Sequence, residues 1–333
     1  MTFSSISVII IALPNAPANK PGIRDLQCRT GTCAACRAEK EEGHPMLDLL
    51  EIRDEIDVID KEIVRLYEHR MDLATQVAEF KIRNGKEVFD AKRELDKLQT
   101  LSGLASTEFT THGVHELFEH IMSMSRKRQY QLLTEYGKIF DTGFDVCEEE
   151  EVKRGHVYVT RQDRYALEHF IGREATPVIM DTSEEMFAAL KNEEDSYGFL
   201  EVGVDSPDKS VISFYNLICE HDCYIVREFK ENAGEKERCL LITNKRECIR
   251  EANKVSLCFE APDESGMLYH LLSHITYNSL NLNRIGSFVI CTDPLDYRFF
   301  IDVDGSLTDA SIQNAIRGLS AESRNFKILG NYL

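Results

Sequence analysis

The sequence predicts a multidomain chain of class α plus α/β: an all-helical part, then a small α/β segment, then a terminal βαββαβ unit. Three observations lead there. Leu49, Ile52, Ile56, Ile59, Ile63, Leu66, Tyr67, Leu73, Val77 and Phe80 recur at three- and four-residue steps, as one helical face requires. After the acidic run Cys147-Glu148-Glu149-Glu150-Glu151 the pattern changes to short alternating strand and helix segments. From Val255 to the end the order is strand, helix, strand, strand, helix, strand.

With 333 residues the chain has room for two or three domains with real cores. Its formal charge of -18 argues against nucleic acid or an anionic membrane surface as the main partner, since either would repel it. A small anion remains admissible where local cations gather, because the field of an acidic surface is screened within roughly 8 Å at physiological salt. The ten cysteines are scattered, with Cys219, Cys239, Cys258 and Cys291 inside apolar patterns. That usage suits free thiols in a reducing cytoplasm, and a cytoplasmic location is the expectation. Cys28, Cys33 and Cys36 are spaced CxxxxCxxC, and a metal site there would need His44 as its fourth ligand; no metal is assigned. Residues 1–45 read as a disordered extension with Met46 as the natural start, because the apolar run Ser7 to Leu13 lacks a basic lead and is too short to span a bilayer.

The first helix is expected from Met46 to Asn84, with no Gly or Pro between. Unbroken, it would be roughly 55 to 60 Å long, longer than a small domain is wide, and so it crosses into a partner. Asn84-Gly85-Lys86 reads as a turn. A second helix runs from Asp90 to Leu101 and a third from Val114 to Tyr136. Three helices so unequal cannot close a bundle alone, whereas two copies exchanging their long helices could. This all-helical domain takes residues 46–136, and a solvated acidic linker takes 137–154. Within 155–250, strands at His156 to Thr160 and Ala175 to Met180 alternate with helices at Tyr165 to Ile171 and Ser183 to Lys191. Gly198 to Val204, Ser210 to Glu220, Cys223 to Glu228 and Arg238 to Thr243 continue the alternation. Residues 254–333 hold strands at Val255 to Phe259, Leu282 to Cys291, Tyr297 to Val303 and Asn325 to Tyr332, with helices at Gly266 to Tyr277 and Thr308 to Leu319. That is the ferredoxin-like order.

Polar residues cluster within the helical part. Arg70 and Lys81 stand eleven residues apart, close to three turns, on one side of the first helix. Asp90, Arg93 and Glu94 share a face of the second helix, and Ser125 and Gln129 a face of the third. Taken singly, each is as well explained as surface charge on an amphipathic helix. Taken together they offer cations, an amide, a hydroxyl and two carboxylates from facing helices, and bundle interiors are where such sites are built.

In these residues the segment from Met46 to about Glu135 resembles the all-helical chorismate mutases, intertwined dimers in which one long helix is shared between two active sites. The resemblance is carried by Leu49-Leu50-Glu51-Ile52-Arg53-Asp54-Glu55-Ile56, Ile59-Asp60, Arg70 with Leu73-Ala74, Lys81, Val88-Phe89-Asp90 with Arg93-Glu94, and Ser125 with Gln129. It implies the Claisen rearrangement of chorismate to prephenate, which needs no cofactor, nucleophile or metal. The protein then has to hold a dianion in its compact conformer and stabilise charge on the breaking ether oxygen. By the same resemblance Arg70 and a second copy's Arg53 grip the carboxylates, with Ser125 assisting. Lys81 and Gln129 donate to the ether oxygen, Glu94 and the backbone near Asp90 hold the ring hydroxyl, and Arg93 braces that end. Because Gln129 is neutral at every working pH, activity is expected to persist well above pH 7.

Residues 254–333 resemble an ACT domain, the amino-acid sensor appended to many biosynthetic enzymes. Gly266-Met267-Leu268-Tyr269 stands where dehydratase-linked versions carry a Gly-Ala-Leu-Val type turn, and Asn283-Arg284-Ile285 leads into Gly286-Ser287-Phe288-Val289 in place of Glu-Ser-Arg-Pro. The resemblance implies an aromatic amino-acid effector near Gly266, Met267, Leu268, Asn283, Arg284 and Ile285; a unit used only for dimer packing is an equal alternative. The middle segment is similar to the first lobe of a prephenate dehydratase at Tyr197-Gly198-Phe199-Leu200 and from Ser210 to Ile218. The family's catalytic Thr-Arg-Phe is replaced by Glu237-Arg238-Cys239, and about nine residues stand where a second lobe belongs. The expectation is a chorismate mutase with a degenerate dehydratase-like segment. A bifunctional enzyme and a non-catalytic regulatory protein are the other two readings.

Overall fold

The computed structural model describes residues 48–147, 156–171, 176–192, 196–203, 211–230 and 238–333. The cysteine cluster with His44, the acidic run from Glu148 and Glu237 lie outside the described residues. Contacts divide the chain into two units, one ending at Lys61 and one beginning at Glu62.

The described part of the first unit is residues 48–61, where Asp48 Oδ1 accepts from Leu50 N at 2.9 Å and caps the helix start. Leu49, Leu50, Ile56, Val58 and Ile59 are all exposed there. Helix α1, Leu49–Asn84, ends where the sequence expects, since Gly85 turns left-handed at φ +61. Helix α2, Ala91–Ser102, is capped by Asp90, whose carboxylate accepts from Arg93 N at 3.1 Å. Helix α3, Glu108–Glu135, begins six residues before its expected start because Thr107 and Thr110 form a reciprocal cap.

The remaining elements of the second unit are strand β1 (Asp145–Cys147), β2 (His156–Thr160), helix α4 (Arg164–Phe170), β3 (Thr176–Met180), α5 (Ser183–Asn192), β4 (Ser196–Val202), α6 (Val211–Glu220), β5 (Tyr224–Phe229), β6 (Arg238–Thr243) and β7 (Glu247–Ile249). They are followed by β8 (Lys254–Pro262), α7 (Met267–Tyr277), β9 (Leu282–Thr292), β10 (Leu295–Asp304), α8 (Ala310–Glu322) and β11 (Arg324–Tyr332). The α/β segment and the terminal βαββαβ unit are joined in one nine-stranded sheet of order β3-β2-β4-β6-β5-β11-β8-β10-β9. Strands β2, β3 and β4 are parallel, as their helical crossovers demand. Strands β5 and β6 pair directly and antiparallel, Phe229 opposite Cys239. The short parallel pair β1 and β7 was not expected from the sequence. Cys291, read as part of an apolar pattern, is exposed on β9, whereas Cys219, Cys239 and Cys258 are buried. Among the described residues no helix is long and apolar enough to cross a membrane.

The junction depends on β11 lying parallel to β5 with Gly330 opposite Ile225. A Cβ on Gly330 would run into the Ile225 carbonyl oxygen, so only glycine permits this approach. Alternation along β8 and β10 then sorts the two faces. Val255, Leu257, Phe259, Ile301 and Val303 enter a core under α7 and α8. Cys258 and Phe300 face α6, alongside Phe214 and Ile218. Ser256 and Asp302 lie on that second face and are buried with Arg238. Arg238 donates to Tyr215 Oη at 2.9 Å, pairs with Glu228, and approaches Asp302 at 3.5 Å. Lys254 also pairs with Glu228, and Ser256 Oγ donates to Asp302 at 2.5 Å. Burial alone would raise the Glu228 carboxyl, but Arg238 and Lys254 outweigh it and hold it at about 2.

Helix α3 packs on the outer side of α7 and α8. Lys127 Nζ donates to Ser273 Oγ at 2.7 Å, Thr134 Oγ1 to Asn314 Oδ1 at 2.6 Å, and Phe140 N to Gln313 Oε1 at 2.7 Å.

Three outcomes are expected. Gly330→Ala should lose about 2 kcal/mol or more in urea unfolding, by overpacking against backbone that has nowhere to move. Gly113→Ala, in open space on α3, should be neutral or stabilising by up to ~1 kcal/mol. Since the Glu228 pKa is lower folded than its ordinary 4.5, its contribution is complete above pH 4.5 and fades as pH falls toward about 2. Glu228→Gln should therefore lower the urea midpoint at pH 7, yet show a smaller further drop between pH 5 and pH 3 than wild type.

Candidate functional site

A cavity of about 500 Å³ opens among α1, α2 and α3, within the range of small-molecule sites. Its walls include Arg70 and Lys81 from α1, Asp90 at the cap of α2, Arg93 and Glu94 from α2, and Ser125 and Gln129 from α3. Seven of the eight substrate residues expected from the sequence thus meet in one place. The eighth, Arg53, is exposed on α1 and is not among the lining residues.

Most of these polar groups have a physical anchor. Arg70 Nη1 donates to Ser125 Oγ at 2.5 Å and to the Ile121 carbonyl at 3.4 Å, which fixes the guanidinium against α3. Lys81 Nζ donates to the Val88 carbonyl at 2.5 Å, so the loop leading into α2 holds it over the cavity. Burial lowers the pKa of both cations, with Arg93 adding to the effect at Lys81. Gln129 Nε2 donates to the Ser125 carbonyl at 3.2 Å. An amide nitrogen carries two protons, so one remains for a ligand. Its Oε1 is buried with no hydrogen-bond partner among the described residues. Asp90 spends its carboxylate on capping α2, which brings the first turn of that helix to the cavity edge.

Glu94 has a partner that the sequence reading missed. Arg126, 7% exposed, lines the same cavity and pairs with Glu94 through Nη1. Its guanidinium also lies over the Phe89 ring, 5.0 Å from the centroid. Burial raises the Glu94 carboxyl pKa, and Arg126 opposes the rise. The one available signal was position: Arg126 stands between Ser125 and Gln129, inside the basic triplet Arg126-Lys127-Arg128 that looks solvent-facing. The arrangement can bind a small polyanion, with Arg70 and Lys81 as cations, Gln129 as a neutral donor, and an oriented carboxylate for a hydroxyl group.

The residues expected to hold an effector lie in the terminal unit. Gly266 caps α7 in a left-handed conformation, φ +81, and Met267 and Leu268 pack partly buried on the core under α7. Asn283 is bonded to Asp304, and Arg284 Nε lies 3.7 Å from Asp302.

Comparison with known proteins adds the following. Residues 52–130 match the family model for chorismate mutase type II. A bifunctional chorismate mutase/prephenate dehydratase of Aquifex aeolicus is 23% identical over 356 residues, covering 86% of this chain and 98% of the relative. One from Buchnera aphidicola subsp. Schizaphis graminum is 22% identical over 372 residues, covering 86% and 96%. Since 86% of 333 residues is about 286, about 70 of the 356 aligned positions in the first case stand opposite gaps in this chain. The prephenate dehydratase structure from Staphylococcus aureus aligns with a TM-score of 0.46 at 13% identity, over 53% of this chain and all of that one. The chain therefore carries a chorismate mutase type II domain and is homologous, over most of its length, to bifunctional chorismate mutase/prephenate dehydratases.

Proposed function

We propose that the chain rearranges chorismate to prephenate in the cavity among α1, α2 and α3, as a step of aromatic amino-acid biosynthesis. The observation that carries this reading is the convergence of Arg70, Lys81, Glu94, Ser125 and Gln129 on one cavity. The rearrangement is unimolecular, so catalysis reduces to holding the compact conformer and meeting the charge that develops on the ether oxygen. Arg70 with Ser125 takes one carboxylate. Lys81 and the free proton of Gln129 meet the ether oxygen, and Glu94 takes the ring hydroxyl. The second carboxylate falls to Arg53 of a second copy. Dimerisation through α1 is supported by Ile56, Ile59, Ile63 and Leu66, which α1 leaves about half exposed in a single helical stripe.

The terminal unit is read as an ACT domain of ferredoxin-like order. Its strands stand β11-β8-β10-β9, the fourth, first, third and second of the unit, with both helices over one face. An aromatic amino acid near Gly266 and Asn283 is the effector that this reading assigns. The dehydratase-like segment is read as inactive. Support comes from the direct pairing of β5 with β6, the gapped alignment, and an Arg238 whose guanidinium is occupied by Glu228, Tyr215 and Asp302. A second reading, with both activities kept, draws on the bifunctional relatives aligned over nearly their whole length.

Chorismate supplied to the purified chain, with prephenate and phenylpyruvate quantified separately, distinguishes them. Prephenate alone is expected, and phenylpyruvate above the acid-catalysed background would restore the second reading. Lys81→Ala should lower kcat/KM by about 10²- to 10³-fold, the usual effect of removing one oxyanion donor; full activity in this variant would end the mutase assignment. The rate should stay level from pH 6 to 8, because Gln129 does not titrate. It should fall on the alkaline side as Lys81, its pKa lowered by burial, loses its proton below the ordinary 10.5. A sharp loss between pH 6 and 7 would remove Gln129 from its role.

A further inference from the structure

The geometry points to Arg126 and Glu322 as positioning residues for Glu94: the last residue of α8, in the terminal unit, sets the orientation of the acid that lines the mutase cavity. This inference rests on the mutase reading above.

Arg126 is held from the far side. Glu322 receives Nε at 2.8 Å and Nη2 at 2.9 Å in a two-pronged fork, and both side chains are less than a tenth exposed. A fork of this kind fixes the plane of the guanidinium as well as its place. With Nε and Nη2 taken, Nη1 is directed at Glu94. His274 of α7 braces the acid in turn, with Nε2 3.1 Å from Glu322 Oε1. A Cβ on Gly318 would run into the His274 ring, so α7 and α8 meet here without slack.

The consequence for the cavity follows from charge. Glu94 also feels Lys81 and Arg70, the two cations assigned to the substrate. An unrestrained carboxylate among them would pair with one and take it from the ligand. Arg126 supplies a nearer counter-ion, in direct contact with the carboxylate. Its own charge is matched by Glu322, so it adds little net positive potential that would keep Glu94 from a hydroxyl proton. Both partners are needed: Arg126 without Glu322 would lose the fork that fixes its plane, and its charge, no longer matched from the far side, would fall on Glu94 alone. The mutase site is in this sense completed by a part of the chain almost two hundred residues downstream.

The test is a double-mutant cycle on the full chain, with kcat and KM for chorismate measured for wild type, Glu322→Gln, Glu94→Gln and the double variant. Glu322→Gln is expected to lower kcat/KM about tenfold. Most of the loss should appear in KM, because a hydroxyl contact is made in ground and transition state alike. In the Glu94→Gln background the same change should have almost no further effect, since its route to the substrate has been removed. A purely structural Glu322 would act equally in both backgrounds, and additive losses would overturn the inference. Arg126→Lys keeps the charge but not the fork and is carried through the same cycle, so that instability of one variant does not decide the result. Wild type inert toward chorismate would overturn the mutase reading and this inference with it. An active wild type with additive variants would overturn this inference alone.

Discussion

The approach of β11 to β5 at Gly330 is the contact from which most of this structure follows. Because a side chain there would meet backbone, the two sheets merge only with hydrogen at that position. Once they merge, strand alternation leaves no freedom about which residues face α6 and which face α7 and α8. The α6 face receives Ser256 and Asp302, two polar groups that no apolar neighbour could satisfy. The other face carries α7 and α8, and their outer surfaces are what α3 packs against. One backbone approach in the sheet therefore reaches, through two packed layers, to the wall of the cavity among α1, α2 and α3.

Two buried arginines mark the two ends of that path, and they are satisfied by the same device. Arg238 lies among Glu228, Asp302 and Tyr215, and Arg126 between Glu94 and Glu322. A lone buried guanidinium would be very unfavourable, so each is met by two acids on separate elements, and each fixes the relation of those elements. The carboxyls respond alike where the cation dominates. Burial works against ionisation at Glu322, yet His274 and Arg126 hold it at about 2, as Arg238 and Lys254 do for Glu228. Glu94 differs: burial, with the negative charge of Glu322 nearby, outweighs Arg126, Lys81 and Arg70, and its pKa moves up. A carboxylate with weaker stabilisation of its charge is better placed to accept a hydroxyl proton than one already saturated.

Much of the helical part was legible because its determinants are local. Asn84-Gly85 stops α1, Asp90 caps α2, and the cavity residues fall at helical spacings within 60 residues of one another. The start of α3 was placed late because its cap pairs Thr107 with Thr110, whereas the usual signal has Glu or Gln at the second position. What the sequence hid depends on distant partners. Arg126 and Lys127 look like solvent-facing charge until Glu322 and Ser273 arrive from more than 140 residues away. Strands β1 and β7 are three residues each and about a hundred apart in sequence, too short for any periodicity. The succession of strands and helices along the terminal unit was legible, but its fusion to the α/β segment was not, since a single glycine opposite Ile225 carries no pattern.

Arg238 also bears on the proposal that the dehydratase-like segment is inactive while the mutase activity is kept. A rearrangement needs only a fixed set of charges around one substrate, and helices of local sequence assemble it. An elimination in a cleft needs an arginine presented to the ligand, with a second lobe to close over it. In this chain the guanidinium that stands in the dehydratase-like position is the one that ties β6 to Glu228 and Asp302. Turning it outward would leave both acids buried with one cation fewer, and would weaken the sheet junction that also supports α7 and α8. The structural and the catalytic use of Arg238 thus compete for one side chain. With β5 paired directly to β6, the structural use is the one that the described contacts of Arg238 support.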